Sequence, residues 1–290
     1  MGLRQSTRKG WNIMFPPKKI LFPVDFSERC ASAARMVEVF AGRFQAEVTL
    51  LHVLQPLTYN DIPVDSASVA EQRLGAFMAE ELKHFDIRRV LLEGDPAAQI
   101  IDYAHAHQFD LIMLPTHGYG SFRRMIVGSV TSQVLRGATC PIWTGVHMEN
   151  VPRLEDIGFH RILCAIDLGA QSCPTATWAN RFATEYGAEL SLVHALPDAK
   201  DSSPFEDGSN HEKLIQEARE KIQAVQACVR ANGQVFVVAG EVASAVCTCA
   251  ARERADLLVV GRGVHDDVVG RLRANAYSII RQSPCPVVSV

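Results

Sequence analysis

The sequence predicts an α/β protein with two tandem, doubly wound parallel-sheet domains. Three observations lead to this fold class. The chain has 290 residues, which is long for one domain and ordinary for two. Short apolar segments that read as buried strands, such as 111–114, alternate with segments of helical periodicity. The second half of the chain also repeats the pattern of the first half.

The internal repeat is visible in four pairs of segments. These pairs are 18–25 with 160–167, 47–53 with 189–195, 109–114 with 255–260, and 140–142 with 285–287. The offset is 142 residues between Asp25 and Asp167 and 146 residues between Asp110 and Asp256. An offset that drifts so little over four elements indicates a duplicated domain.

Helices are expected between the strands of each half. Apolar residues recur at helical spacing over 74–82 in the first half and over 214–225 in the second. Asp95 followed by Pro96 is typical of a helix start, with Asp as the N-cap and Pro at the first helical position. Strands and helices that alternate in this way place binding sites at the carboxyl ends of the strands.

Domain boundaries follow from breaks in these patterns. We predict an N-terminal tail over residues 1–17, a first domain over 18–146 and a second domain over 159–290. The segment 149–153 interrupts both periodicities and is interpreted as part of the linker. The basic residues near the N-terminus are interpreted as a frayed, solubilising tail rather than a binding arm.

Composition excludes several function classes. A net charge of −3 and a pI near 6.4 provide no field that would attract nucleic acid. No apolar run reaches the ~18 residues of a membrane span, and no signal-peptide apolar segment follows the basic start. The 8 cysteines are thinly spread in a chain with ample apolar residues, so we expect a cytoplasmic protein with reduced thiols.

A glycine-containing segment follows the predicted strand at 111–114. It reads His117-Gly118, nine further residues, and then Gly128-Ser129-Val130-Thr131. Glycine lets the backbone approach a ligand closely, and the unpaired N–H groups at a helix N-terminus suit phosphate. The segment therefore predicts a phosphate-binding loop, with ordinary turn glycines as the alternative interpretation.

With this spacing the chain resembles the universal stress protein family in its tandem two-domain form. The family's nucleotide motif is G-x2-G-x9-G-[ST], and here it reads Pro115-x2-Gly118-x9-Gly128-Ser129. Pro115 stands in place of the first glycine and removes a backbone N–H. Residues 24–27 after the first strand and 52–53 at the end of the second support the resemblance. It covers nearly the whole chain after Phe15.

The resemblance implies a Rossmann-like fold of the adenine nucleotide alpha hydrolase type. It also implies one adenine nucleotide in the first domain, ATP or else ADP or AMP, with Mg²⁺. Adenine would contact Pro23, Val24, Asp25, Val53 and Leu114. The phosphate side would comprise Pro115, His117, Gly118, Gly128, Ser129, Val130 and Thr131.

The family also tends to dimerise through its last strand. The corresponding segments here are 141–144 and 286–290. They are expected to pair within one chain and make it a pseudo-dimer that covers its own sheet edges, with a homodimer as a further assembly.

The second half departs from the motif. Val264 falls at the position of Gly118, and Arg273 falls near that of Gly128. A bulky arginine replaces a glycine whose bare backbone would approach phosphate, so we expect no nucleotide in the second domain. Arg271 or Arg273 would instead bind another anion or form surface ion pairs.

Four further residues have both a structural and a functional interpretation. His52 and His194 end the second strand of each half, and we expect buried, hydrogen-bonded structural residues there rather than catalytic ones. Cys140 and Cys285 precede the last strands and are expected to be buried as small apolar side chains.

Three functions are compatible with these observations. They are a nucleotide-binding stress-response regulator, a nucleotide-independent scaffold or chaperone-like protein, and a slow ATP hydrolase. The regulator is preferred. The chain has no G-x-x-x-x-G-K-[ST] loop and no evident general base, because Asp25 is expected at the adenine, so at most weak ATPase activity is expected.

Overall fold

The computed structural model describes residues 14–55, 67–115, 128–145, 157–196, 208–262 and 269–290. The first half contains β1 (Lys19–Pro23), α1 (Glu28–Phe44), β2 (Glu47–Leu54), α2 (Ala67–Ala76), β3 (Ile87–Glu93), α3 (Pro96–Ala106), β4 (Leu111–Pro115), α4 (Ser129–Gly137) and β5 (Ile142–Gly145). The second half contains β6 (Arg161–Ala165), α5 (Ser172–Tyr186), β7 (Glu189–Leu196), α6 (Gly208–Val229), β8 (Val235–Ala239), α7 (Val242–Arg252), β9 (Leu257–Val260), α8 (Val269–Gln282) and β10 (Val287–Ser289).

These strands form a single sheet in the order β3-β2-β1-β4-β5-β10-β9-β6-β7-β8. Neighbouring strands within each half are parallel, and both halves have the same doubly wound order. The predicted fold class is therefore confirmed. All the carboxyl ends of the parallel strands in one half meet at the same edge of the sheet.

The last strands of the two halves pair with each other, as predicted. The β5 and β10 strands are antiparallel, and Trp143 lies opposite Val288. The buried hydroxyl of Thr144 also donates a hydrogen bond to the Val287 carbonyl at 3.1 Å. This pairing covers two strand edges that would otherwise be open. A homodimer stays a prediction.

Aromatic packing joins the two halves on one face of the sheet. The Phe40 ring lies 4.7 Å from the Trp143 ring and 5.8 Å from the Phe182 ring of the second half. Phe159 contacts both Trp143 and Phe182. Because these side chains are buried in one cluster, the two halves share one hydrophobic core on this face of the sheet.

The predicted start of α3 and the predicted helix over 214–225 agree with the structure, whereas the predicted end of α2 does not. Asp95 caps α3 by accepting a hydrogen bond from the Ala98 N–H at 2.8 Å, with Pro96 at the first position, so this prediction is confirmed. The α6 helix covers the whole predicted segment 214–225. The predicted helix over 74–82 is wrong beyond Ala76, where α2 ends.

The early end of α2 has a local cause. Met78 adopts a left-handed conformation with φ of 55°, which interrupts the helix. The Arg89 guanidinium donates hydrogen bonds to the Leu74 carbonyl at 2.9 Å and the Phe77 carbonyl at 3.3 Å. A side chain from β3 therefore satisfies the carbonyl groups that a helix end exposes. Leu82 is still buried in the core.

The expectation of reduced thiols is wrong for one pair of cysteines. Cys173 of α5 and Cys228 of α6 form a disulfide, with Cα atoms 6.5 Å apart. The two residues are 55 positions apart in the chain, so their spacing carries no signal of the pairing. The predicted burial of Cys140 and Cys285 is confirmed, and burial raises the pKa of each thiol to about 11.

Candidate functional site

A cavity of about 300 Å³ opens at the carboxyl edge of β1, β2 and β4 in the first half. The α4 helix begins at its rim. Its walls are formed by Pro23, Val24, Asp25, Cys30, Leu51, Val53, Pro96, Ile100, Leu114, Pro115, Gly128, Ser129, Val130 and Thr131. This is the position at which an open, doubly wound sheet binds ligands.

The cavity brings together ten of the twelve residues that were predicted to form the site. These ten are Pro23, Val24, Asp25, Val53, Leu114, Pro115, Gly128, Ser129, Val130 and Thr131. His117 and Gly118 lie outside the described residues. The role of all twelve in binding stays a prediction.

A tight turn after β1 fixes the carboxylate of Asp25. Its Oδ1 atom accepts hydrogen bonds from the Ser27 N–H and the Cys30 thiol, each at 3.0 Å. Phe26, between them, has a left-handed backbone with φ of 59°. Such a conformation is uncommon for a bulky residue, and here it turns the chain from β1 into α1.

Cys30 contributes a neutral thiol to the cavity wall. Burial, followed by the neighbouring Asp25 carboxylate, raises the pKa of the Cys30 thiol to about 12. A thiol that stays protonated at neutral pH is a poor nucleophile, so Cys30 acts as a hydrogen-bond donor here.

The two strand-end histidines are hydrogen-bonded, as predicted. His52 Nδ1 donates a hydrogen bond to the Val24 carbonyl at 2.7 Å, and His194 Nδ1 donates to the Ile166 carbonyl at 2.8 Å. Both rings are half-buried rather than fully buried. Each of these bonds ties the end of one strand to the end of its neighbour and so holds the cavity edge.

The N-terminus of α4 supplies the polar end of the cavity. Gly128 is the N-cap, with φ of −57° and ψ of 152°, and no side chain of the described residues caps the first turn. Uncapped N–H groups in the first turn remain available to an external acceptor. Ser129 is exposed at this end.

The Thr131 side chain connects α4 to the end of β4. Its hydroxyl is buried and donates a hydrogen bond to the Pro115 carbonyl at 3.3 Å. Its first role is therefore to join β4 to α4. Pro115 takes part through its carbonyl group, so the missing N–H of proline does not prevent this contact.

The second half holds both ends of α4. The Tyr277 hydroxyl, from α8, donates a hydrogen bond to the Ser132 carbonyl in the first turns of α4. The buried Arg262 guanidinium donates to the Ala138 carbonyl at 3.0 Å and to the Cys140 carbonyl at 2.5 Å, just beyond the end of α4. The helix that borders the cavity is thus fixed by the neighbouring domain.

Four wall residues were missed by the sequence analysis, namely Cys30, Leu51, Pro96 and Ile100. Pro96 and Ile100 are four positions apart and lie on the same face of α3. The sequence signal that could have identified them is the helix start at Asp95, which places the first turn of α3 near the strand ends.

The second half has a smaller cavity at the corresponding sheet edge, with a volume of about 130 Å³. It includes Asp167, His194 and Gly261, which correspond to Asp25, His52 and Pro115. The helix at its rim differs, because α8 already begins at Val269.

Within the ranges that the structure describes, no group of three or more His, Cys, Asp or Glu side chains could hold a metal ion, and no helix is long and apolar enough to cross a membrane.

Comparison with known proteins matches this architecture. The family model of the universal stress proteins matches the chain twice, over residues 16–144 and 158–290. The chain belongs to the universal stress protein family. The two matches correspond to the two halves of the sheet, so this universal stress protein has the tandem form.

Individual relatives cover one half of the chain each. A universal stress protein of Methanocaldococcus jannaschii is 31% identical over 151 residues, which span 48% of this chain and 86% of the relative. Another from the same organism is 28% identical over 149 residues, spanning 43% of this chain and 92% of the relative.

A solved structure matches both halves together. The universal stress protein from Archaeoglobus fulgidus superposes with a TM-score of 0.72 at 20% identity. The match covers 95% of this chain and 98% of that chain. At this identity the likeness shows the shared fold.

Proposed function

We propose that this chain binds one adenine nucleotide, ATP or else ADP or AMP, in the cavity of its first domain and acts as a nucleotide-dependent regulator in a stress response. The observation that carries the proposal is the combination of an apolar cavity with a helix N-terminus that no described side chain caps. The volume of about 300 Å³ lies at the lower end of typical small-molecule sites.

The base would occupy the apolar end of the cavity. Val24, Val53 and Leu114 present aliphatic surface at the strand ends, which favours a flat aromatic ring. Asp25 lies beside them, and its Oδ1 atom is already held by Ser27 and Cys30. The Oδ2 atom has no hydrogen bond among the described residues and would accept one from the ligand.

The phosphates would occupy the α4 end. Gly128 has no Cβ to obstruct a phosphate, and the first-turn N–H groups of Ser129 and Val130 suit an anion. Mg²⁺ would be held chiefly by the phosphate oxygens and water, as is usual for this ion. The cytoplasm, where such nucleotides are abundant, is the proposed location.

Regulation is favoured over efficient hydrolysis. Phosphoryl transfer needs a positioned nucleophile and charge stabilisation at the γ-phosphate. Asp25 is expected at the base, and the Cys30 thiol is neutral, so neither would activate a water there. A nucleotide-independent scaffold and a slow ATP hydrolase remain the alternative functions.

The nucleotide can be identified directly. Freshly purified full-length protein is denatured, and the released small molecules are separated and analysed by mass spectrometry. We expect an adenine nucleotide in an amount comparable to the protein. Protein that carries none and that shows no binding of ATP, ADP or AMP on titration would favour the scaffold function instead.

A further inference from the structure

The cavity of the second domain differs chemically from that of the first. Its apolar wall includes Ile166, Val246 and Val260. At about 130 Å³ it is close in size to the apolar cavities of about 150 Å³ that bind single aromatic rings.

The helix residues that correspond to the phosphate end of the first cavity lie differently in the described part of the second half. Ala274 corresponds to Ser129, but α8 begins five residues earlier, at Val269. Only the first four N–H groups of a helix lack an internal partner, so the N–H groups of residues 274–276 are engaged within the helix. Thr131 is also replaced, by the buried Ala276. These three N–H groups are therefore not available to an anionic ligand.

The second cavity has gained a buried hydroxyl instead. Thr175 is 1% exposed, lines the cavity and corresponds to Ala33 in the first half. Its Oγ1 atom has no hydrogen-bond partner among the described residues. Because Thr175 lines the cavity, its hydroxyl can donate or accept a hydrogen bond with a molecule bound there.

Gly261 makes the hydroxyl accessible from the cavity. It replaces Pro115 of the first half, and a Cβ atom at this position would lie 3.0 Å from Thr175 Oγ1. The absence of a side chain therefore leaves the space beside the hydroxyl open. Two differences between the halves, Thr175 in place of Ala33 and Gly261 in place of Pro115, together give the second cavity this accessible hydroxyl.

Two acceptors complete the lining. Asp167 Oδ1 accepts hydrogen bonds from the Gly169 N–H at 2.8 Å and from the Ser172 hydroxyl at 3.0 Å, which leaves Oδ2 for a ligand. His194 donates from Nδ1 to the Ile166 carbonyl, so a neutral ring carries its acceptor at Nε2. Both residues line the cavity, which therefore favours a ligand with N–H donors.

We propose that this cavity is a second ligand site, for a small uncharged aromatic heterocycle that carries N–H donors, the class to which free nucleobases belong. The apolar wall holds the ring, the two acceptors bind its N–H groups, and the Thr175 hydroxyl bonds a ring nitrogen or carbonyl oxygen. Nucleotides are disfavoured because the N–H groups of residues 274–276 lie inside α8 and cannot bind phosphate. The site is separate from the one proposed for the nucleotide.

The test is a titration of the ¹⁵N-labelled full-length chain, followed residue by residue by NMR, with adenine and AMP as separate probes. We expect adenine to shift the amide signals of residues 165–167 and 194–195 with a saturable affinity that is roughly millimolar or tighter. AMP should leave these signals unchanged. Its effect on the signals of residues 23–25 and 53 tests the nucleotide site independently.

Three variants make the test specific. Thr175→Val keeps the shape but removes the hydroxyl, and should weaken adenine binding at the second site at least about 5-fold. Gly261→Leu should fill the space beside Thr175 and abolish binding. Thr177→Val is the matched control, because Thr177 lies on the same helix and bonds the Cys173 carbonyl instead of lining the cavity.

The proposal is overturned by any of three results. These are no shift of the second-domain signals up to the solubility limit of adenine, an equal shift with AMP, or binding to Thr175→Val and Gly261→Leu that matches the wild type. If AMP still shifts the first-domain signals in such a case, the proposed nucleotide function stands while the second site fails.

Discussion

The Thr131 hydroxyl donates a hydrogen bond of 3.3 Å to the Pro115 carbonyl, which joins the last residue of β4 to the first turn of α4. The two residues lie on either side of His117 and Gly118 in the sequence. The hydrogen bond also explains how proline can occupy the first position of the motif, because the carbonyl rather than the N–H makes the contact. The geometry of the proposed phosphate end therefore depends on a side chain that is itself buried.

Replacing Thr131 tests this contact. Thr131→Val should leave the Pro115 carbonyl without its partner and lower the free energy of unfolding by about 1–2 kcal/mol. The affinity for MgATP should fall as well, because α4 loses its connection to β4. Thr131→Ser keeps the hydroxyl and should retain most of both properties. Chemical denaturation and calorimetric titration measure the two effects, and equal behaviour of the Val and Ser variants would show that the bond is unimportant.

Gly128 tests the approach of phosphate to the backbone. Gly128→Arg introduces the residue type that the second half has near this position, and should lower the affinity for MgATP at least about 10-fold by steric exclusion. The melting temperature should change little. Gly75→Arg is the matched control, since a Cβ atom at this exposed glycine of α2 meets no atom within 4 Å. If Gly128→Arg binds ATP with unchanged affinity, Gly128 has only a structural role at the start of α4 and does not contact phosphate.

Tyr277 tests whether the second domain positions the nucleotide site. Tyr277→Phe removes the hydroxyl that donates to the Ser132 carbonyl, so α4 should be held less firmly and the affinity for MgATP should fall by about 2- to 5-fold. The control is Tyr103→Phe, which removes a buried hydroxyl that has no hydrogen-bond partner among the described residues. If both variants bind MgATP like the wild type, the contact between the domains does not support the site.

Turnover distinguishes a regulator from an enzyme. With saturating MgATP we expect phosphate release far below the ~1 s⁻¹ at the low end of typical turnover. The reason is that no residue of the described cavity is suited to activate water at the γ-phosphate. Gly128→Arg, purified in the same way, measures the contribution of contaminating phosphatases. If the wild type releases phosphate faster than ~1 s⁻¹ and Gly128→Arg does not, the protein is an ATPase.

The sequence predicts features that depend on local or repeated patterns. The Asp95 cap of α3 follows from two adjacent residues, and the pairing of β5 with β10 follows from a duplication combined with the family resemblance. Ten of the twelve predicted site residues line one cavity because parallel strands end at a common edge.

Contacts between distant parts of the chain could not be predicted in this way. The bond between Cys173 and Cys228 joins residues 55 positions apart on two helices, and nothing in their neighbours marks them as a pair. Arg89 ends α2 from another strand, which helical periodicity does not reveal. The unpartnered Thr175 hydroxyl is visible only once Gly261 is placed beside it.

The central claim is that a chain with two homologous halves has one adenine-nucleotide site, in its first half. Isothermal titration of the full-length protein with MgATP tests this claim most directly. No described side chain caps the α4 N-terminus, whereas the corresponding residues of α8 lie inside a helix, so the predicted stoichiometry is one nucleotide per chain. A stoichiometry of two, or the absence of any binding, would contradict the claim.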